Sequence, residues 1–414
     1  MEYLITRLAK LYKKYGIFGT IKRGIVKSYI MIKVKLSNLI FSKKYKKEID
    51  KIISKKEYKY IVILHPFLDY YTPVFQRPQQ LATAFGKRDD TLFFYISPNN
   101  YFDKVTGIKK INKNSYLTNQ YSYLKSLNLK NRVMLFSSTD LRSTIKDIKD
   151  AENRKDKIVY EYLDEINADI CGHITSDFME KHNYVINNKG IYLVTTATKL
   201  YNEIKEIRNE NLALITNGVN LEDFKVNKSM EEIKKIVNLD IDYNKKIIGY
   251  YGAIACWFDY ELVKKLAENK DYVILLIGIN YDRSLNVSGI NKYDNIKYIG
   301  SVEYKLLKYY SSICDILTIP FLVNDVTEST SPVKVFEYMA MKKPVISTNL
   351  PECTKYKSVY ISKSHDEFIK DVYDILNMSN EEKIKYQKLL YKEALENTWE
   401  SKVYDILKLI GGEN

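Results

Sequence analysis

From Lys59 onward, short and nearly unbroken apolar runs alternate with amphipathic stretches, and this alternation constrains the fold more than any other feature of the 414-residue chain. YIVILHPF opens the series, and RPQQLATAFGKR after it reads as a helix with Pro78 in its first turn, where no helical hydrogen bond needs its missing N–H. TLFFYIS, RVMLFSS, KIVYEYL, YLVTT and NLALITNG supply further strands between loop and helix signals. A parallel strand covered by helices on both faces requires such runs, so the pattern predicts a doubly wound parallel sheet. After a polar stretch from Asp223 to Asn244 a second series begins: KKIIGYYGAI, YVILLIG, NIKYIGS, DILTIPF, PVISTN and SVYIS, with DYELVKKLAEN and SPVKVFEYMAM as helices between them. The chain therefore reads as α/β, with Rossmann-like domains at 57–225 and 226–395, a closing helix at 396–414 and an N-terminal extension at 1–56. Open parallel sheets bind ligands at the carboxyl ends of their strands, so two such domains placed face to face are expected to enclose a central cleft.

Charge separates the extension from the rest. The chain holds 65 Lys and Arg against 51 Asp and Glu, formally +14, which alone invites a nucleic-acid partner. Residues 1–56 carry 16 of those cations with only Glu2, Glu48 and Asp50, while the remaining residues balance 49 against 48. No aromatic stacking platform or groove-reading motif accompanies the basic arm, so nucleic acid is not expected. Leu11, Tyr15, Ile17, Phe18, Ile21, Ile25, Tyr29, Ile30 and Ile32 recur at spacings of three and four, a helical period with Lys and Arg between. Two readings are open. The arm lies in the headgroup plane of an anionic membrane, or it is a solvated or partly disordered extension that packs its apolar stripe on the body.

Cys171, Cys256, Cys314 and Cys353 are far apart, with no C-x-x-C pair and no histidine at ligand spacing, which argues against disulfides and zinc and for a reducing cytoplasm. No secretion signal and no run of about 18 uncharged apolar residues is evident, so the expected location is cytoplasmic, peripheral on the inner face of the membrane if the arm binds lipid. The D-x-D at Asp240 and Asp242 falls in the interdomain stretch and reads as solvated linker, and no metal site is expected. His65 follows the first strand at a cleft-facing position and His173 is similarly placed, whereas His182 and His365 read as surface residues. No Ser/His/Asp or Cys/His arrangement follows from these spacings.

The strongest local signal runs from Glu328 through Ser329, Thr330, Ser331, Pro332, Lys334 and Glu337 to Ala340, followed by Lys343 and Pro344. Ser331 is a good N-cap and Pro332 a good first helical residue, so a helix is expected to start directly after the strand DILTIPF and its loop. Its N–H groups and positive dipole end offer a diphosphate site, with Lys334 adding charge and Glu337 one turn in, placed to accept from ribose hydroxyls. An ordinary capped strand–helix junction would carry the same residues.

The string S-P-x-K-x-F-E-Y-M-A-x-x-K-P-V-I resembles the nucleotide-sugar signature of GT-B fold glycosyltransferases, particularly the retaining, family-4-like enzymes. Asn217-Gly218-Val219-Asn220 with Phe224 is similar to the segment that ends their N-terminal domain. Ile248 to Asp259 resembles the first strand and glycine loop of their C-terminal domain, which implies donor phosphates near Gly252, Ala253 and Trp257, with Gly278 on the next strand end. Gln76, Arg77 and Pro78, with Glu161 and Asp164, resemble N-terminal segments of bacterial members that build surface polysaccharides. Asn397 to Lys402 is similar to the helix that crosses back to the first domain.

The resemblance implies a donor site of Gly252, Ala253, Trp257, Gly278, Ser329, Thr330, Ser331, Pro332, Lys334 and Glu337. From their positions Arg77, Gln76 and Glu161 are acceptor-side candidates, and Asp164 and His65, with Glu328, are catalytic candidates; Arg77 could instead cap the first strand–helix turn, and Glu161 and Asp164 could be ordinary surface or capping carboxylates. Two departures stand out. In the family's E-x7-E pair Glu337 matches the second glutamate, but Ser329 occupies the first position, so Glu328 after a loop adjustment or the N–H groups of 329–331 would take that role. The usual Arg and Lys after the glycine loop are replaced around Ala255 to Trp257, and Lys334 would supply part of that charge. The expected activity is transfer of a sugar from a UDP-, GDP- or dTDP-linked donor to a surface polysaccharide, lipid-linked or protein-bound glycan, with retention and without metal or other cofactor. The alternatives are a GT-B nucleotide-sugar epimerase and a degenerate, non-catalytic partner subunit.

Overall fold

The computed structural model describes residues 2–166 and 174–411, with side chains from residue 16 onward. The chain divides into two compact units. The first comprises Met1–Thr196, Leu200–Ile215 and Val403–Asn414, the second Ala197–Lys199 and Thr216–Lys402.

The first unit is built on an eight-stranded sheet of β1 (Tyr60–Leu64), β2 (Thr91–Ile96), β3 (Ile108–Lys110), β4 (Ser115–Thr118), β5 (Arg132–Ser137), β6 (Lys157–Tyr162), β7 (Tyr192–Thr195) and β8 (Leu212–Leu214). Its strand order is β3-β4-β2-β1-β5-β6-β7-β8, and all pairings are parallel except β3 with β4. β1, β2 and β5 are buried at every residue, as strands covered on both faces must be. The helix Arg77–Lys87 follows β1 and carries Pro78 in its first turn.

The second unit holds a parallel six-stranded sheet of β9 (Lys246–Tyr251), β10 (Tyr272–Ile277), β11 (Ile296–Tyr298), β12 (Ile316–Ile319), β13 (Val345–Thr348) and β14 (Val359–Ser362), in the order β11-β10-β9-β12-β13-β14. The helices Tyr260–Glu268 and Val333–Ala340 follow β9 and β12. The division between units falls at 215 and 216, ahead of the expected 225 and 226. Val219 and Phe224 are buried in the second core, Phe224 with its ring edge-on to Tyr304 at 5.9 Å. The closing helix spans Trp399–Leu409, and the chain passes from the second unit to the first within it.

The N-terminal extension is helical over Glu2–Ile53, with a kink at Gly16, whose φ of 68° lies in the left-handed region that glycine tolerates. One side packs on the first unit. Ile30, Tyr45 and Ile49 are buried there, the Arg23 guanidinium stands 4.2 Å over the Tyr101 ring, and Asn38 accepts a hydrogen bond from the Gln120 amide at 2.7 Å. Packing on the body is therefore observed for one face of the arm. Among the described residues no helix is long and apolar enough to cross a membrane.

Candidate functional site

In the second unit the strand order reverses between β9 and β12, and loops that leave neighbouring parallel strands in opposite directions open a crevice at their carboxyl ends. The two loops are laced together just beyond the strands: the Asp259 N–H donates to the Pro320 carbonyl and the Leu322 N–H to the Trp257 carbonyl, both at 2.8 Å. Gly252 and Gly278 end β9 and β10 with φ of 144° and 143°. A β-carbon on Gly278 would collide with the Gly252 carbonyl, and one on Gly252 would come within 2.7 Å of Lys334 Cε. Glycine is thus what lets the Lys334 side chain lie on the β9 loop.

Lys334 stands in the first turn of the helix Val333–Ala340, with its ammonium 4.8 Å over the Phe321 ring and 5.4 Å over that of Tyr250. Burial pushes this ammonium down to about 8, while Glu337 and Cys353 pull the other way. A cation held over two rings beside a helix N-terminus, against bare backbone, is a place where an anion is stabilised without dedicated side-chain donors. One turn along, Glu337 is 3% exposed and accepts hydrogen bonds from the hydroxyls of Tyr251 at 2.6 Å and Tyr304 at 3.1 Å. Burial pushes its carboxyl up to about 7 against those two bonds and the Lys334 charge.

The start of this helix differs from expectation. Its N-cap is Pro332 and no side chain caps it. Ser331 is occupied elsewhere: its hydroxyl accepts the Asn217 N–H at 3.4 Å, and its carbonyl accepts from the Asn217 side-chain amide at 2.7 Å. Ser329 and Thr330 are likewise turned back on the single-turn helix Asp325–Glu328, donating to the carbonyls of Asp325 and Val326. Glu328 ends that turn half-buried. Trp257 is half-buried in a tilted ring contact with Tyr281, and the Ala253 carbonyl accepts the Tyr250 hydroxyl at 2.7 Å. Lys343 secures the far end of the motif, donating to the carbonyls of Ser312 and Cys314, each at 2.7 Å.

In the first unit the order reverses between β1 and β5, and there the crevice is bridged from within. His65, expected to face a ligand, is 4% exposed, stacked on Phe136, with Nδ1 2.5 Å from an Asp140 oxygen. Burial works to raise the Asp140 carboxyl, but the hydrogen bond and charge of His65, together with Lys181, hold it below its ordinary value. Lys181 is fully buried and donates to the Asp140 carbonyl and the Ser143 hydroxyl.

Arg77 and Glu161, expected on the acceptor side, instead bind each other at 2.8 Å and are 3% and 2% exposed, so the pair ties the helix start to β6. Gln76 is exposed, and its N–H is held by the Gln79 side chain at the helix start. Asp164, just past β6, is half-buried, and burial pushes its carboxyl up to about 6.

His182 is not a surface residue: it is 5% exposed against Tyr160 and Tyr162, and burial lowers its pKa to about 4. His365 is partly exposed and bonded through Nε2 to Asp259 at 2.8 Å. Asp240 and Asp242 are exposed. His173 and Cys171 lie outside the described residues. Sequence reasoning missed Tyr251, Tyr304, Phe321, Asp140 and Lys181. Of these, only Asp140 carried a usable signal, since it follows β5 as His65 follows β1 in the neighbouring strand.

Residues 246–378, which carry this crevice, match the family described as Glycosyl transferases group 1. A putative teichuronic acid biosynthesis glycosyltransferase of Bacillus subtilis, TuaH, is 24% identical over 275 residues, 62% of this chain and 67% of that one. Among solved structures, sucrose-phosphate synthase from Thermosynechococcus elongatus is 13% identical with a TM-score of 0.60, covering 84% of this chain and 97% of its own. HepE of Anabaena, solved in complex with UDP-glucose, is 11% identical with a TM-score of 0.60 over 85% of this chain and 99% of its own. Two parallel-sheet units of this topology give the chain the GT-B fold, and the match across the second of them marks a group 1 glycosyl transferase domain there.

Proposed function

We propose that this chain is a glycosyltransferase that binds a nucleotide-diphosphate sugar at the carboxyl end of its second sheet and transfers the sugar to a surface polysaccharide, lipid-linked or protein-bound glycan, with retention and without metal. The observation that carries the reading is the Lys334 ammonium lying on Gly252 at the N-terminus of the helix Val333–Ala340. Breaking the bond between sugar and diphosphate builds charge on the leaving phosphate, and a cation with helix N–H groups already aimed there stabilises that charge without reorganisation. Glu337 would accept from the ribose hydroxyls, joining or displacing Tyr304. UDP-glucose in HepE supports a uridine donor, and the similarity to TuaH, a putative teichuronic acid biosynthesis glycosyltransferase, supports a cell-surface glycan as product.

Lys334→Ala and Glu337→Ala, assayed for UDP and GDP binding and for donor hydrolysis, test the placement. Each is expected to weaken nucleotide binding by roughly tenfold or more, the loss of one charge-assisted contact. Unchanged binding in both would move the donor elsewhere. An epimerase would instead convert the donor to a second nucleotide sugar with no acceptor present, and a non-catalytic subunit would bind nucleotide without turnover.

A further inference from the structure

The N-terminal helix is packed on one side only. Opposite the buried Ile30, Tyr45 and Ile49, the side chains of Phe18, Ile21, Ile25, Tyr29, Ile32 and Leu36 are each more than half exposed, Phe18 at 85%, and the row continues to Leu39 at 80%. Spacings of three and four at 100° per residue keep all of them within an arc of roughly 100°. At 1.5 Å per residue the row is about 30 Å long. Single exposed apolar residues need no explanation, but a continuous row of this size marks an interaction surface.

Its flanks decide what covers it. Between Glu2 and Glu48 there is not one acidic residue, whereas 17–47 hold nine Lys and Arg. Lys22 and Lys33 project on one flank of the row and Lys35 on the other, all exposed. A second copy of this helix would bring cationic flanks together with no acid between them to pair. An anionic bilayer offers both things the surface lacks, an apolar layer for the row and phosphates for its edges, and no polar feature within the row reads a particular shape.

We propose that the row from Phe18 to Leu39 seats the protein on an anionic lipid bilayer. The helix lies in the headgroup plane with its apolar side inserted, Lys22, Lys33 and Lys35 on lipid phosphates, and its inner face still packed on the first unit. This surface is independent of the donor site, and either assignment can fail without the other.

The test is co-sedimentation of the full-length chain with phosphatidylglycerol-containing and pure phosphatidylcholine vesicles at low and high salt. Binding is expected to favour the anionic vesicles by roughly tenfold or more and to weaken with salt. Ile25→Glu with Leu36→Glu is expected to abolish it. Both positions are exposed, so melting temperature and UDP binding should be unchanged, which separates lost docking from lost folding. Lys22→Glu, Lys33→Glu and Lys35→Glu together are expected to erase the preference for anionic lipid. A full-length chain that ignores anionic vesicles at low salt, or a stripe variant that binds them as well as the parent, overturns the proposal. A parent dimer that Ile25→Glu with Leu36→Glu converts to monomer would overturn it in favour of a second copy.

Discussion

A β-carbon on Gly278 would stand 1.7 Å from the carbonyl oxygen of Gly252, so the loops that follow two paired strands of the second sheet meet through backbone alone. Both residues also hold φ values that side chains avoid. Gly278→Ala is therefore expected to destabilise the protein by on the order of 3 kcal/mol, because the obstacle is backbone that cannot move without opening the sheet end. At Gly252 the obstacles are side-chain ends, Lys334 Cε at 2.7 Å and the Tyr250 hydroxyl at 2.8 Å, so Gly252→Ala should cost less stability than Gly278→Ala, about 1–3 kcal/mol of backbone strain, while displacing the ammonium and weakening UDP binding at least as much as Lys334→Ala. Denaturant midpoints and UDP titrations on the two variants check this, and a stable, nucleotide-tight Gly252→Ala would remove Lys334 from the donor site.

Proton uptake should accompany nucleotide binding above neutral pH. Burial holds the empty-site Lys334 down to about 8, and a diphosphate against it favours the charged form. Below about pH 7.5 the lysine is mostly protonated, and the pH dependence of affinity there belongs to Glu337, whose carboxyl burial pushes up to about 7. Above 8 it should fall by up to about tenfold per pH unit, since a proton must first be bound. Lys334→Arg, whose guanidinium stays charged, should keep affinity flat through this range. Calorimetry in buffers of different ionisation enthalpy reads the proton directly, and a parent profile flat to high pH would contradict the contact.

Most strands were legible because a parallel sheet wrapped on both faces demands unbroken apolar runs, and YIVIL or YVILLI can satisfy little else. β3 and β4 were not, because an edge strand reading IKK and a four-residue SYLT carry no such run. In the candidate site the helix Val333–Ala340 was readable from its motif, but what surrounds Lys334 and Glu337 was not. Tyr251, Tyr304 and Phe321 reach them from other strands and turns, and only the fold brings those together. The same limit explains Arg77 and Glu161. Two charged residues at strand–helix junctions read as ligand contacts or as capping and surface groups, and 84 positions of separation hide that they pair with each other.

The Arg77–Glu161 pair predicts a stability effect where an acceptor contact would predict a kinetic one. Removing one partner strands a charge in a site 2–3% exposed, so Arg77→Met should destabilise by about 3–5 kcal/mol. Adding Glu161→Leu should recover most of that loss, because two apolar side chains fill the space without a charge to desolvate. Urea unfolding of the two single variants and the double variant measures the coupling. Unchanged stability in the single variants, with a fall in acceptor-dependent turnover, would restore the acceptor role.

His182 should give the protein a pH-dependent stability limb on the acid side. Its ring is buried, is hydrogen-bonded through Nδ1 to the Tyr160 hydroxyl at 3.1 Å, and stands next to the Lys181 charge. Burial first, and Lys181 second, lower its folded pKa from 6.5 to about 4. A depressed folded pKa means that the unfolded chain binds the proton more readily, so stability is full above pH 6.5 and is lost as pH falls toward 4. The slope from this residue is at most about 1.4 kcal/mol per pH unit, and the whole limb is on the order of 3 kcal/mol. His182→Phe removes the titrating group while keeping an aromatic ring between Tyr160 and Tyr162. Its stability should therefore vary less steeply than the parent's between pH 6.5 and 5, a window above the ordinary carboxylate range, whatever the cost at neutral pH of losing the Tyr160 bond. Denaturant unfolding at closely spaced pH values reads that slope, and identical slopes for parent and variant would place a protonated, solvated His182 in the folded protein.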